Sequence, residues 1–325
     1  MIVKLFTQLM LVSSVLQFFP ADAGDLEDRA TLPEAPQRAF DLFEAYEIVS
    51  HRLPTSPDRS SAPSKLVSAS MGVITSARSA IVVDRASREV LFEKNIHEPR
   101  AIGSITKLMT AFVFLQGNPD LNAPATLTQE DLRYGAELHL NIGETVTVRD
   151  LLEASLVGSD NSSTAALARL SGMSLGDFVA KMNETAAEFG LQKTTFDDVT
   201  GLSSSNVSVV TDLSVLFDQV LRNETIAEIT QQSSVTITGS SGRTYIVPST
   251  DELLGTFVDQ VPYDILGGKT GYLPEAGYCL GTIFDHENGG EIIVVVLGSE
   301  TKEGRFQDVK SLAVWAYKTF AWGSL

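Results

Sequence analysis

"AIGSITKLMTAF", residues 101–112, is where the chain changes character. Upstream, "SARSAIVVDRASREVLFEKN" (76–95) runs in β-branched blocks around a turn at Arg85–Arg88, the pattern of two strands. Downstream, the apolar residues fall at helical spacing. The stretch itself reads as an apolar helix with Ser104 and Lys107 at its head. On a helix, residues three apart face the same way with Cβ atoms about 5–6 Å apart, so the hydroxyl and the amine can meet. A blander reading has Ser104 as an N-cap and Lys107 in water. S-x-x-K alone does not choose between them, because a chain this long holds roughly one such match by chance.

Outward from that point, "TVRDLLEASLV" (147–157) and "SSTAALARLSG" (162–172) read as helices separated by "GSDN". "SLGDFVAKMNETAAEFGL" (174–191) is a further helix with Ser174 as its N-cap, and "VTDLSVLFDQVLRN" (210–223) follows in the same style. Then the period changes. "SVTITGSSGRTYIV" (234–247) predicts a β-hairpin, and "DILGGKTGYL", "AGYCLGTIFD" and "GGEIIVVVLGS" predict strands. "RFQDVKSLAVWAYKTF" (305–320) predicts a closing amphipathic helix. Strands at both ends with helices between them imply an α+β fold. Residues 66–100 and 233–325 would share one antiparallel sheet flanked by helices. Residues from about 101 to 232 would form a helical subdomain, with a cleft between the two.

Composition sets limits. Of 325 residues, 43% are hydrophobic and 20% charged, which is ordinary for a globular chain with a sizeable core. The net charge of −17 argues against nucleic acid as a partner, since phosphate binding needs basic surface. Residues 1–23 read as a signal peptide. Lys4 supplies the positive region, "LFTQLMLVSSVLQFF" (5–19) the apolar core and Ala21-Asp22-Ala23 the cleavage site. The apolar run is short for a membrane span, so export to the periplasm is expected, with a retained anchor as the alternative. Residues 24–65 are polar, with prolines at 33, 36, 54, 57 and 63, and read as a disordered linker. Within it "FDLFEAYEIV" (40–49) suits a short amphipathic helix. Cys279 is the only cysteine, so no internal disulfide can form; it reads as a small buried hydrophobe.

Two further short motifs decide between the readings of Ser104 and Lys107. Ser159-Asp160-Asn161 lies 55 residues after Ser104, and Lys269-Thr270-Gly271 lies 110 residues after Ser159. Each alone is noise. A serine hydroxyl is a weak nucleophile until a base takes its proton. A lysine can be that base only if burial or a neighbouring cation, for which Lys269 is the candidate, lowers its pKa from about 10.4. Acyl transfer also needs preorganised N–H donors for the oxyanion; the backbone N–H groups of Ser104 and Tyr272 are candidates. Gly267, Gly268 and Gly271 would let a substrate backbone approach the strand, where Lys269 and the Thr270 hydroxyl can hold a carboxylate. Ser159 and Asn161, between two helices, would either cap the second helix or line the cleft. In the second role Ser159 would relay a proton to the leaving group, and Asn161 would fix Lys107 or a substrate amide. His51, His97, His139 and His286 fall in no metal or triad pattern, and no phosphate-binding glycine loop is present.

In this order the three motifs are the signature of penicillin-binding proteins and class A β-lactamases. From Ala77 to Gly298 the chain resembles the low-molecular-mass penicillin-binding proteins, the serine D-alanyl-D-alanine peptidases. "VLFEKNIHEPRAIGSITKLMTA", "MNETAAEFGLQKTTFDDVTGL" and "GGKTGYLPEAGYCL" carry the likeness beyond the motifs. The resemblance implies a β-lactamase/DD-peptidase-like fold and an acyl-enzyme on Ser104 with Lys107 as base. It implies peptidoglycan stem peptides as substrates, β-lactams as acylating inhibitors, and no metal or organic cofactor. Three features depart from the common pattern. Asp160 stands where many members have Gly. The family's Asn-Thr-Asn-like stretch is represented only by "STDELL" (249–254). The chain continues for only 54 residues after Gly271, a compact build similar to the endopeptidase branch. Carboxypeptidase and cross-link endopeptidase activities stay equally open. The alternatives are a β-lactamase and a non-catalytic cell-wall-binding protein. Against the first, the one E-x-x-L-N match, Glu137 to Asn141, precedes the second motif; against the second stand intact Ser104, Lys107 and Lys269.

Overall fold

The computed structural model describes residues 62–66, 70, 72–135 and 137–323. The expected signal peptide, nearly all of the linker and the 40–49 helix lie outside the described residues. A five-stranded antiparallel sheet organises the rest: β1 (Ser79–Asp84), β2 (Val90–Lys94), β3 (Tyr263–Leu273), β4 (Gly277–His286) and β5 (Ile292–Ser299), in the order β3-β4-β5-β1-β2. The two ends of the described chain meet where β5 pairs with β1, from Ile292 opposite Asp84 to Leu297 opposite Ser79. Both strands are buried along their whole length because both faces of the sheet are covered. Alternate residues serve the two faces. Ile81, Val83, Ile293 and Val295 face one core, shared with Leu213, Leu216 and Phe217. Ala80, Val82, Val294 and Val296 face a second, shared with Phe306, Val309 and Leu312.

Seven α-helices complete the described residues: α1 (Thr106–Gln116), α2 (Val148–Leu156), α3 (Asn161–Leu170), α4 (Leu175–Glu188), α5 (Val210–Val220), α6 (Glu224–Thr230) and α7 (Lys302–Thr319). Their starts follow local chemistry. Thr147 caps α2 in a capping box with Asp150, Ser174 caps α4 as its sequence predicts, and Thr301 caps α7. Helix α7 covers one sheet face and α5 the other. Helix α1 runs through the middle of the helical layer, packed by α3, α4, α5 and α2, and buries Leu108, Met109, Ala111, Val113 and Phe114.

The sheet is narrower than the sequence suggests. The hairpin Ser234–Thr238/Thr244–Pro248 forms its own two-stranded sheet instead of joining the main one. Only Val235, Ile237 and Val247 of this hairpin are buried, so it has one apolar face and leans on α2. Its turn is tied down by Glu144, whose carboxylate accepts bonds from Ser241 N (3.0 Å), Ser241 Oγ (2.6 Å) and Tyr245 Oη (2.8 Å). Three further short pairs, Ser64–Lys65 with Phe320–Ala321, Arg100–Ala101 with Val207–Ser208 and Pro124–Thr126 with Thr145–Thr147, are too brief to show a period in the sequence.

Candidate active site

The head of α1 is held by backbone, not by a side-chain cap. Gly103–Ile105 forms a single 3₁₀ turn, and Gly103 has a φ of +54°, a region that favours glycine. A Cβ on Gly103 would stand 2.7 Å from Tyr272 N, and one on Gly271 would stand 2.3 Å from Ile102 O. Glycine at both positions therefore brings β3 into backbone contact with the turn carrying Ser104. The Ser104 and Tyr272 N–H groups belong to these two touching segments.

Ser104 is half-buried at the cleft, and Lys107 beneath it is 0% exposed. The Lys107 Nζ donates to Ser104 Oγ (2.9 Å), Asn161 Oδ1 (2.7 Å) and Thr200 O (2.6 Å). Burial pushes the Lys107 ammonium down from 10.5 to about 7, against the opposing pull of the Asp160 and Asp198 carboxylates. The net shift corresponds to on the order of 5 kcal/mol. Lys269, the cation expected to assist, is not what lowers Lys107. The repulsion between the two lysines falls on Lys269, whose own pKa is depressed first by burial and then by Lys107 and Arg305.

The second motif divides its labour. Asp160 caps α3 by accepting from Ser163 N (2.8 Å), and its other oxygen accepts from His139 N (2.8 Å). His139 is thus a packing residue against this loop. Ser159 and Asn161 are spared the capping role. Ser159 sits at φ 61°, and its Oγ accepts from Lys269 Nζ at 3.0 Å. The left-handed conformation of a serine here is local strain held by the surrounding structure. Asn161 spans Lys107 and the backbone of Tyr134, to whose carbonyl its Nδ2 donates at 3.3 Å. In the third motif Lys269 is 1% exposed, and Thr270 Oγ1 lies 2.7 Å from Thr250 Oγ1. Tyr272, 49% exposed, stacks on Tyr278 at 4.5 Å, and the Arg305 guanidinium lies 5.6 Å from the Tyr278 ring. The eight residues singled out in the sequence are brought together: Ser104, Lys107 and Asn161 by the Lys107 amine, Ser159 and Lys269 by their hydrogen bond, and Thr270, Gly271 and Tyr272 on the strand that abuts the Gly103 turn.

Three contributors were not anticipated. Thr200 offers its carbonyl to Lys107, and the turn that aims it is built by Asp198, which accepts from Thr200 N (2.5 Å), Gly201 N (2.6 Å) and Ser203 N. Asn206 Oδ1 accepts from Asp197 N (2.6 Å) and Asp198 N (3.0 Å), and its Nδ2 donates to Thr106 Oγ1 (3.0 Å), which binds this turn to α1. The available signal was the Asp-x-Thr-Gly run at 198–201, a turn-forming combination. Among the described residues, no group of three or more His, Cys, Asp or Glu side chains is placed to hold a metal ion.

A buried lysine of lowered pKa 2.9 Å from a serine hydroxyl, on a turn in backbone contact with an edge strand, is the arrangement a serine acyl-transfer site needs. Residues 65–301 match the D-alanyl-D-alanine carboxypeptidase family, and the chain belongs to that family of low-molecular-mass penicillin-binding proteins. It is 35% identical over 240 residues to a D-alanyl-D-alanine endopeptidase of Haemophilus influenzae, covering 72% of this chain and 80% of that protein. Among solved structures it is similar to the Streptomyces K15 DD-transpeptidase, with a TM-score of 0.70 and 27% identity over 77% of this chain and 100% of that one. It is also similar to the ampicillin-bound form of penicillin-binding protein D2 from Listeria monocytogenes, with a TM-score of 0.64 and 31% identity over 76% of this chain and 99% of that one.

Proposed function

We propose that this chain is an exported serine D-alanyl-D-alanine peptidase that cuts peptidoglycan stem peptides through an acyl-enzyme on Ser104. The observation that carries this reading is the 2.9 Å contact from a fully buried Lys107 amine to Ser104 Oγ. With its pKa near 7, Lys107 is about half neutral at neutral pH and can take the Ser104 proton as the oxygen attacks the D-Ala carbonyl. The backbone N–H groups of Ser104 and Tyr272 stabilise the developing oxyanion. Lys269 and Thr270 hold the carboxylate beside the scissile bond, and Ser159 hands a proton to the departing amine. Water then releases the acyl group.

A terminal D-Ala and the amine-bearing α-carbon of a diaminoacid cross-link both place a carboxylate one carbon from the scissile nitrogen. One site therefore serves carboxypeptidase and endopeptidase chemistry. The relative at 35% identity, named an endopeptidase and covered over 80% of its length, supports the cross-link as the preferred substrate. Export rests on the N-terminal sequence pattern, and no helix among the described residues is long and apolar enough to cross a membrane.

Labelling with a fluorescent penicillin tests the mechanism. The expected result is a persistent adduct located on Ser104 by mass spectrometry. It should be absent in Ser104→Ala and slowed by about 10³-fold or more in Lys107→Ala, the range for loss of an activating base. Rapid turnover of the adduct would mark a β-lactamase, no adduct would mark a binding protein, and normal labelling of Lys107→Ala would remove Lys107 as the base. Digestion of purified cross-linked and uncross-linked muropeptides decides which bond is preferred.

A further inference from the structure

Behind the third motif lies a buried carboxylate that the mechanism leaves unused. Asp251 is 6% exposed, and its Oδ2 has no hydrogen-bond partner. Its Oδ1 accepts from Leu253 N at 3.0 Å. The free oxygen lies directly against β3: a Cβ built on Gly268 would stand 3.0 Å from Asp251 Oδ2 and 3.1 Å from Thr282 Oγ1, itself unpartnered. Gly268 immediately precedes Lys269. On the other side of the strand's end, Arg305 from α7 is also buried, donating only to Gly271 O at 3.3 Å and leaving its Nε unpartnered. Two buried cations, Lys269 within the strand and Arg305 beside its end, therefore lie close to Gly268–Gly271. Among the described residues, neither makes a salt bridge within 4.0 Å.

The segment carrying Asp251 joins both walls of the cleft. Thr250 N donates to Val157 O (3.0 Å), just before the Ser159 loop, while Thr250 Oγ1 meets Thr270 Oγ1 (2.7 Å). A buried cation without a compensating anion loses its charge more readily than its partner carboxylate would allow. We infer that Asp251 is a positioning residue that keeps Lys269 cationic, and so able to bind a carboxylate, through an electrostatic contact across the backbone of Gly268.

The charged groups around this point are few. Asp251 is influenced by Lys269 on β3, Arg305 on α7 and Asp259; Lys269 by Lys107 on α1, Arg305 and Asp251; and Arg305 by Asp251 and Glu252. Asp251 is the carboxylate that acts on Lys269 in the cation-favouring direction, and it titrates at about 6, raised by burial.

The inference rests on the proposed acyl-transfer reading, and the test separates the two. Second-order acylation is measured from pH 5 to 10 with benzylpenicillin and with its methyl ester, which lacks the carboxylate, for the wild type and for the near-isosteric Asp251→Asn. The alkaline limb for benzylpenicillin should move to lower pH by about one unit, so that acylation at pH 8.5 falls roughly tenfold. The slow acylation by the ester should be unchanged. Thermal unfolding of Asp251→Asn checks that the fold persists. If it does not, Asp251→Ser replaces it in the same comparison. Equal losses with acid and ester, or an unmoved alkaline limb, reduce Asp251 to a packing group and overturn the inference. Failure of the wild type to form any adduct overturns the acyl-transfer reading instead.

Discussion

Burial of Lys107 favours the neutral amine that the proposed mechanism needs, and it costs the fold stability wherever the unfolded chain would keep the proton. Its pKa is lowered in the folded state, so between about pH 7 and 10.5 the unfolded chain holds a proton that the folded chain does not. The stability contributed by this residue therefore rises with pH across that window, and its destabilising effect is fully present below about 7. Denaturant unfolding of wild type and Lys107→Met, compared at pH 7 and pH 10, should show the wild type gaining on the order of 3 kcal/mol relative to the variant. A gap that does not change with pH would mean the lysine stays charged in its pocket. This side chain was readable in the sequence because Ser104 and Lys107 are local to one another. Its third partner was not: the Thr200 carbonyl lies 93 positions away and is a backbone atom that every residue type offers.

At the scale of elements, the site depends on how closely one strand approaches one helical turn. Gly103, Gly201 and Gly271 share that contact. A Cβ on Gly201 would lie 2.1 Å from Gly103 O, at a φ of +89°. Gly271→Ala puts a methyl group against Ile102 O, and because both partners are backbone the strand itself must move. The expected result is a fall in acylation of at least about 10²-fold from displacement of the proposed oxyanion donors, with a stability loss of only about 2 kcal/mol; equal activity would show that the approach is not needed. The strands and long helices were legible from period and caps, Ser174 and the β4–β5 runs most plainly. The hairpin at 234–248 was legible as a hairpin but not in its placement. Its alternation of Val235 and Ile237 with exposed polar residues suits any single apolar surface, and α2 offered one.

Across the whole molecule, the sheet and the helical layer are clasped by charge as well as by apolar packing. Asp218 on α5 is bonded by Arg85 (2.8 Å) and Arg222 (3.1 Å) and approached by Arg88 (3.4 Å), while Arg85 also reaches Glu291 (2.5 Å) at the edge of β5. Asp218→Ala would leave three guanidinium groups facing one another over a largely buried point, a loss of about 2 kcal/mol. Thermal unfolding should register it, while acylation measured well below the melting temperature stays at the wild-type rate. The pairing of β5 with β1 has another effect, on timing. A nascent chain can wind α1 early from neighbouring residues, but β1 has no central partner until residues some two hundred positions later have been made. Ser104 is thus made long before β3, the strand that brings Lys269 and Tyr272 to it, and on the proposed mechanism a chain cut short before β3 would carry a serine without those partners.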